Sequence, residues 1–235
     1  GTGKTFLLQE IIDVASKDRN CCLVITAPTG LAASNFHHGR TLHSVMNDKT
    51  VWTIPDGKRM MLIIDEVSML RPEVLDAMNL MLQYIRYNKK PFGGVQVLFI
   101  GDLMQLPPII KTNEWDVLSQ FYRGKFFFHA QSLQTEQPIY VELTKIWRQT
   151  DEEFIAVLEK MRLNELDEEV KEKLNIYVDK DFSIERNPGY IVLSTHNQHA
   201  NDMNYDALAR LDERSVSFSA DIIDEFPEFL YPIEK

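Results

Sequence analysis

The chain has 235 residues, a hydrophobic fraction of 44% and a formal net charge of −10. This length allows one large domain or two small ones, and the hydrophobic fraction is ordinary for a soluble protein. No apolar run approaches the ~20 residues of a membrane helix and no signal peptide opens the chain, so we expect an intracellular protein without a membrane partner. The adjacent Cys21 and Cys22 have no further cysteines to pair with, which excludes a disulfide framework.

The acidic charge is unevenly distributed. Residues 1–150 contain 16 Lys and Arg against 14 Asp and Glu, whereas residues 151–235 contain 9 against 21. An acidic protein taken as a whole is a poor candidate for binding nucleic acid. Because the excess lies in the last third, where it is typical of two solvated helices, the first part remains available to hold a strand through local cations and backbone groups.

The first five residues, Gly1-Thr2-Gly3-Lys4-Thr5, match the second half of a phosphate-binding loop, G-x-x-x-x-G-K-[ST]. In such a loop, backbone N–H groups and the start of the next helix surround the β-phosphate. Lys4 would reach the β- and γ-phosphates, and the hydroxyl of Thr5 would bind magnesium. The alternative is a glycine-containing turn before a helix. Apolar spacing predicts that helix over residues 6–16.

Three apolar runs, at residues 20–27, 60–64 and 95–100, predict buried strands of an open parallel sheet. Asp65 and Glu66 follow the second run, and Gly101-Asp102 follows the third. Ligands bind at the carboxyl ends of such strands, so Asp65 is placed to hold hydrated magnesium and Glu66 to polarise an attacking water. The alternative for each Asp alone is a helix cap. Taken together, the strand ends favour a nucleotide triphosphatase.

Shorter elements complete the prediction. Helices are indicated near residues 31–36, from Pro72 to residue 85, and at 113–122, 151–162, 167–177 and 197–211. Strands are indicated at 125–128, 138–143 and 190–195. Residues 47–59 are polar and turn-rich, which indicates a small insertion, and residues 215–235 have weak periodicity. We predict an α/β protein with an open parallel sheet, and a second α/β unit that begins near residue 140.

The motifs together resemble those of superfamily-one helicases of the 5′-to-3′ branch, most closely the Pif-type (petite-integration-frequency) DNA helicases. The first five residues are similar to motif I, residues 26–33 and 39–44 to motif Ia and its extension, and residues 64–69 to motif II. Residues 91–94 and 101–108 are similar to the family signature and motif III, 143–149 to motif IV, and 193–197 with Asn204 to the opening of the second motor lobe. RecD-like helicases share several motifs, but the FGG and TLHS segments favour the Pif type.

The resemblance implies a P-loop NTPase fold of the RecA-like type, with helices on both faces of the sheet. Residues 1–140 would form the first RecA-like lobe, including the insertion at 47–59. Residues 141–235 would form a linker, motif IV and the beginning of a second RecA-like lobe. The first strand and the adenine motif would precede Gly1, and motifs V and VI would follow Lys235, so the chain resembles a fragment of a helicase.

The resemblance also assigns roles at the nucleotide. ATP would bind Gly1, Thr2, Gly3, Lys4 and Thr5, and Mg2+ would bind Thr5 and Asp65. Glu66 would be the general base, Gln105 the γ-phosphate sensor, Arg148 an arginine finger and Trp147 the residue that stacks on adenine. The alternatives are a turn-closing hydrogen bond for Gln105, a salt bridge to Asp151 or Glu152 for Arg148, and a core position for Trp147.

Single-stranded DNA would lie across both lobes, with Thr29, Gly30, His43 and Phe92 as candidate contacts. The alternative for His43 is a buried core histidine. The implied activity is ATP-dependent 5′-to-3′ translocation on single-stranded DNA and unwinding of forked or structured DNA, in replication, repair, recombination or telomere maintenance. The remaining alternatives are a RecD-like helicase/exonuclease subunit, a catalytically silent nucleotide- or DNA-binding module, and a small-molecule kinase.

Overall fold

The computed structural model describes residues 1–54, 57–135, 137–184, 186–187, 189–214 and 216. The chain forms two compact units, Gly1–Asn175 and Ile176–Lys235. The first unit therefore extends past residue 140 and includes the two acidic helices. The predicted division into motor lobes at residue 140 stays a prediction.

The first unit contains a four-stranded parallel sheet in the order β2-β1-β3-β4. The strands are β1 (Cys21–Ala27), β2 (Arg40–Thr41), β3 (Arg59–Ile64) and β4 (Gln96–Phe99). In their register, Val24 pairs with Leu62, and Leu62 pairs with Val97. Three of the four strands coincide with the predicted apolar runs. The two-residue β2 has no apolar pattern, and the sequence did not indicate it.

Helices cover both faces of the sheet. Helix α1 (Lys4–Lys17) packs on one face, where Leu8 and Ile63 share a core cluster. Helix α4 (Pro72–Ile85) packs on the other face, in the larger cluster that contains Leu62. Successive strand residues point to opposite faces. Because helices cover both faces, apolar residues occupy consecutive positions in three strands, at residues 21–25 of β1, 60–64 of β3 and 97–99 of β4. The predicted α/β fold, with an open parallel sheet between two helical layers, is confirmed.

The other helices of this unit are shorter than α4. They are α2 (Gly30–Ala33), α3 (Leu42–Asn47), α5 (Thr112–Leu118), α6 (Glu152–Arg162) and α7 (Glu168–Asn175). Single 3-10 turns lie at Lys49–Trp52, Val67–Met69, Pro91–Gly94, Phe127–His129 and Gln131–Leu133. The helices predicted near α2, α4, α5, α6 and α7 are confirmed, with ends that differ by a few residues.

The polar segment at residues 47–59 is anchored in the main core by a single aromatic residue. Trp52 is fully buried, and its indole N–H donates to the Val45 carbonyl at 2.8 Å. The carboxylate of Asp48 accepts from the Thr50 N–H at 3.0 Å and starts the 3-10 turn. Val51 and Ile54 pack against the same core, and the polar composition of the segment concealed this burial.

Three predicted strands are wrong. Phe127 begins a 3-10 turn within residues 125–129, and its ring stacks on Phe99 at 5.2 Å between centroids. Residues 138–143 and 190–195 have no regular structure, and their residues Ile139 and Ile191 are 95% and 81% exposed. An apolar or alternating run becomes a strand only beside another strand, and the described sheet contains none of these three segments.

The second unit contains helix α8 (Asn197–Ala209), which confirms the helix predicted at 197–211. The prediction of weak periodicity at 215–235 concerns residues that, apart from Val216, lie outside the described part of the chain. Among the described helices, none combines the length and the apolar character that crossing a membrane requires.

Candidate functional site

The carboxyl ends of the parallel strands meet at one edge of the sheet, where the predicted acidic residues lie. Asp65 directly follows β3, and its N–H continues the ladder by donating to the Thr26 carbonyl at 2.9 Å. The Val67 N–H donates to the Ile100 carbonyl at 3.0 Å, which ties the segment after β3 to the segment after β4. A β-carbon on Gly101 would lie 2.9 Å from the Val67 nitrogen, so this close approach requires glycine.

Lys4 lies close enough to the acidic edge to act on three carboxylates, and its charge lowers the pKa of Asp65, Glu66 and Asp102. Burial has the largest effect on the pKa of Asp65, which is 7% exposed. The pKa is therefore raised, although the hydrogen bond from the Glu66 N–H and the charge of Lys4 each lower it. Burial, followed by the charge of Asp65, also raises the pKa of Glu66. The edge is therefore an acidic site that favours a bound cation.

The backbone of Glu66 is left-handed, with φ 51° and ψ 46°. Such a conformation costs a residue other than glycine about 1–3 kcal/mol and is often found at functional sites. The turn redirects the chain into the Val67–Met69 3-10 turn immediately after β3.

The glycine loop leads directly into α1. Gly3 caps the helix with φ 84°, a left-handed conformation that glycine adopts without steric cost, and its carbonyl accepts from the Leu7 N–H at 2.9 Å. Lys4 and Thr5 are the first two residues of the helix, so both lie at the end where the first N–H groups are. Those N–H groups have no partner within the helix, and a helix start of this kind binds phosphate.

Trp147 and Arg148 meet the glycine loop, although they are far from it in sequence. The backbone N–H groups of both residues donate to the Gly1 carbonyl, at 2.9 Å and 3.3 Å. The Trp147 ring is 66% exposed, and the Lys145 ammonium lies 3.8 Å from its centroid, so the core alternative for Trp147 is wrong.

The salt-bridge alternative for Arg148 is also wrong. Within the described residues, no ion pair joins Arg148 to Asp151 or Glu152. Asp151 instead caps α6 by accepting from the Phe154 N–H at 3.0 Å. The Arg148 side chain is therefore not committed to either acid.

Gln105 is held beside the acidic edge by Asp102. Its side-chain amide donates to Asp102 Oδ2 at 3.3 Å, and its backbone N–H donates to the Asp102 carbonyl at 3.0 Å. The predicted turn-closing bond is therefore present. Asp102 Oδ1 also accepts from the Met104 N–H at 3.1 Å and lies 3.4 Å from Arg162 Nη2. Arg162 is a site residue that the sequence did not indicate, since a basic residue in the last turn of a helix is common.

Three of the four candidate DNA contacts follow the ends of β1 and β2, at the same edge of the sheet. Thr29 caps α2, where its hydroxyl accepts from the Ala32 N–H at 3.2 Å. Gly30 is exposed, and a β-carbon there would meet no atom within 4 Å. His43 is exposed on α3, so the core alternative for His43 is wrong.

Phe92 requires a correction. Its ring is 5% exposed and packs in the main core with Phe99, at 6.4 Å between centroids. Its N–H donates to Asn79 Oδ1 at 2.7 Å. A buried ring cannot stack on a DNA base, so the sequence predicted an interface residue where the fold uses a core residue.

Comparisons with known proteins agree with this arrangement. The PIF1-like helicase family model matches residues 1–52 and 55–175. The chain is 32% identical over 189 residues to the ATP-dependent DNA helicase PIF1 of Mus musculus, covering 74% of this chain and 27% of that protein. It is 34% identical over 201 residues to the ATP-dependent DNA helicase RRM3 of Saccharomyces cerevisiae, covering 78% of this chain and 27% of that protein.

The fold also matches solved structures. The Pif1 helicase from Bacteroides in complex with ADP-AlF3 and ssDNA superposes with a TM-score of 0.84 at 36% identity, covering 100% of this chain and 56% of that one. The Pif1 helicase from Candida albicans superposes with a TM-score of 0.70 at 26% identity, covering 90% and 49%. The chain spans about a quarter of the length of these curated relatives and about half of these solved chains. On the family match and the shared fold, the chain belongs to the PIF1-like helicase family.

Proposed function

We propose that this chain forms part of an ATP-dependent DNA helicase that translocates 5′-to-3′ on single-stranded DNA and unwinds forked or structured DNA. The observation that carries the proposal is the grouping of Lys4, Asp65, Glu66 and Gln105 around one edge of the sheet. The family membership supports it, as does the similarity to a structure with ADP-AlF3 and ssDNA. Such a protein would act where DNA is kept, in the cytoplasm of a prokaryote or in the nucleus or mitochondrion of a eukaryote.

The residues at the acidic edge fit a magnesium ion that arrives with ATP. The described residues include no group of three or more His, Cys, Asp or Glu side chains that could hold a metal. A magnesium ion bound to phosphates needs fewer protein ligands, because phosphate oxygens and water supply most of its coordination and the protein adds only one or two oxygens. Asp65 and Thr5 would be those ligands, and burial of Asp65 favours a neighbouring cation. The bound ion would neutralise charge on the β- and γ-phosphates.

The chain's own residues would position the reactants. The first N–H groups of α1 and the Lys4 ammonium would hold the phosphates, and Trp147 would cover the adenine. Glu66, whose pKa is raised by burial and by Asp65, would accept the proton of the attacking water. Gln105 would sense the γ-phosphate by direct contact, because Asp102 holds the Gln105 side-chain amide at the same edge.

Glu66→Gln tests the proposal in the full-length protein that contains this chain. General-base catalysis contributes typically 10²–10⁴-fold, so we expect DNA-stimulated phosphate release to fall by about that factor. Nucleotide and oligonucleotide affinities should be nearly unchanged, because the substitution keeps the shape of the side chain. Glu10→Gln, an exposed change on α1, is the matched control.

Undiminished turnover in Glu66→Gln would contradict the assigned role. A wild-type protein that binds ATP and DNA but releases no phosphate would support the catalytically silent module instead. Robust release by the wild type would exclude that module.

Gly30→Ala tests the DNA contact at the carboxyl end of β1. The added methyl group meets open space in the protein, and alanine restricts the unfolded chain more than glycine does, so thermal stability should be equal or higher. If the DNA backbone approaches this glycine closely, affinity for a single-stranded oligonucleotide should fall severalfold in fluorescence anisotropy. Ser34→Ala, an exposed change just after α2, is the control. Unchanged affinity in Gly30→Ala would remove Gly30 from the interface.

A further inference from the structure

Arg162, the last residue of α6, lies beside the loop that carries Gln105. Its guanidinium Nη2 is 3.4 Å from Asp102 Oδ1, and its Nη1 is 3.5 Å from Glu159 Oε2 one turn earlier on the same helix. The Asp102 side chain is mostly buried, and the Arg162 side chain is partly exposed. Arg162 and Asp102 are sixty residues apart, so the contact depends on the packing of α6 against the segment after β4.

The two oxygens of Asp102 have different partners. Oδ1 accepts from the Met104 N–H and faces Arg162, while Oδ2 accepts from the Gln105 side-chain amide. Burial would raise the pKa of Asp102, but the Met104 N–H, the charges of Arg162 and Lys4, and Gln105 together lower it. Arg162 thus adds positive charge at an edge where Glu66 and Asp102 repel each other.

We propose that Arg162 is a positioning residue, which orients the Asp102 carboxylate through Oδ1 so that Oδ2 holds the Gln105 amide in place. This inference rests on the proposed function for the role of Gln105 in turnover. Its geometric part stands on the three contacts of the Asp102 carboxylate, with the Met104 N–H, Arg162 and the Gln105 amide. The residue does not touch the reacting atoms. It connects α6, which follows Trp147 and Arg148 in the chain, to the loop of the γ-phosphate sensor.

A merely structural role predicts a different outcome. An arginine in the last turn of a helix interacts favourably with the helix dipole. Its ion pair with a glutamate three residues earlier adds little further stability. In that case, loss of Arg162 would lower the melting temperature and leave the Gln105 loop unchanged. Glu159→Gln removes only the pair within α6 and keeps the contact between Arg162 and Asp102, which makes it the matched control.

The first measurement does not depend on activity. Hydrogen exchange of the Met104 and Gln105 amides is compared in the nucleotide-free wild type, Arg162→Gln, Arg162→Lys and Glu159→Gln. We expect faster exchange in Arg162→Gln, partial rescue in Arg162→Lys because the charge remains, and no change in Glu159→Gln. Exchange at wild-type rates in Arg162→Gln would overturn the proposal.

The second measurement is DNA-stimulated turnover in the full-length protein. Partly exposed ion pairs have small effects, so we expect kcat to fall by about two- to fivefold in Arg162→Gln, with KM for ATP little changed. In the Arg162→Gln protein, Asp102→Asn should lower kcat by a smaller factor than it does in the wild type, because the two residues act through one contact. Additive losses would overturn the proposal. A wild type without turnover would instead contradict the proposed function. The hydrogen-exchange result would then decide by itself whether Arg162 positions Asp102 and Gln105.

Discussion

Lys4→Ala is expected to lower DNA-stimulated phosphate release by about 10²–10³-fold, while single-stranded DNA binding remains largely intact. Lys4 acts at once on Asp65, Glu66 and Asp102, so its removal deprives this acidic edge of a shared positive charge. A triphosphate bound at the proposed site would add further negative charge at the same place. The predicted DNA contacts lie beyond the ends of β1 and β2, and the substitution leaves them unchanged.

The measurement is phosphate release by the full-length protein at saturating oligonucleotide, with anisotropy for DNA affinity. Lys17→Ala is the matched control, because Lys17 is an exposed lysine in the last turn of the same helix. Lys17→Ala should keep wild-type turnover. Undiminished turnover in Lys4→Ala would discard the nucleotide site, whereas equal loss in both variants would point to damage to α1.

Arg148→Ala is expected to lower kcat by about 10³–10⁵-fold, the range that arginine fingers contribute in GTPases. The contact between this segment and the glycine loop uses the Arg148 backbone N–H, which alanine retains. The substitution therefore removes the guanidinium and leaves the contact with Gly1 in place. An arginine finger would stabilise charge that develops in the transition state, so under the proposed role the affinity for ATP should change little.

Single-turnover kinetics would measure the chemical step, and equilibrium binding would measure the affinity for ATP. Together they separate an effect on kcat from an effect on nucleotide affinity. Arg148→Lys should recover only part of the loss, because lysine keeps the charge but lacks the planar fork of donors. Arg123→Ala, which removes an exposed arginine after α5, serves as the control and should behave as the wild type. A change confined to KM would assign Arg148 to ground-state binding, and no change would remove it from the site.

The sequence was most informative where local chemistry and burial coincide. The apolar runs that became β1, β3 and β4 had to be buried on both faces, and a chain with that property has few alternatives to a covered parallel sheet. Asp65 and Glu66 were found because a polar pair directly after such a run lies at the ligand-binding edge. Gly3 was found because its left-handed turn belongs to a recognisable loop.

The wrong predictions arose where neighbours decide the outcome. Residues 138–143 have a strand-like sequence, but no described strand lies beside them. Phe92 lies in a polar, glycine-containing segment, but its ring packs against Phe99 in the core. The polar segment before β3 hid Trp52, since its composition is dominated by residues that do not pack in the core. In each case the outcome depends on which residues the folded chain packs against the segment.

The sequence alone determined the layered sheet, the glycine loop and the acidic strand ends, because these depend on periodicity and on residues adjacent in the chain. Only the tertiary structure brought Trp147 and Arg148 to the Gly1 carbonyl and Arg162 to Asp102. Those contacts join residues sixty or more positions apart, and local pattern carries no information about which distant surfaces pack together.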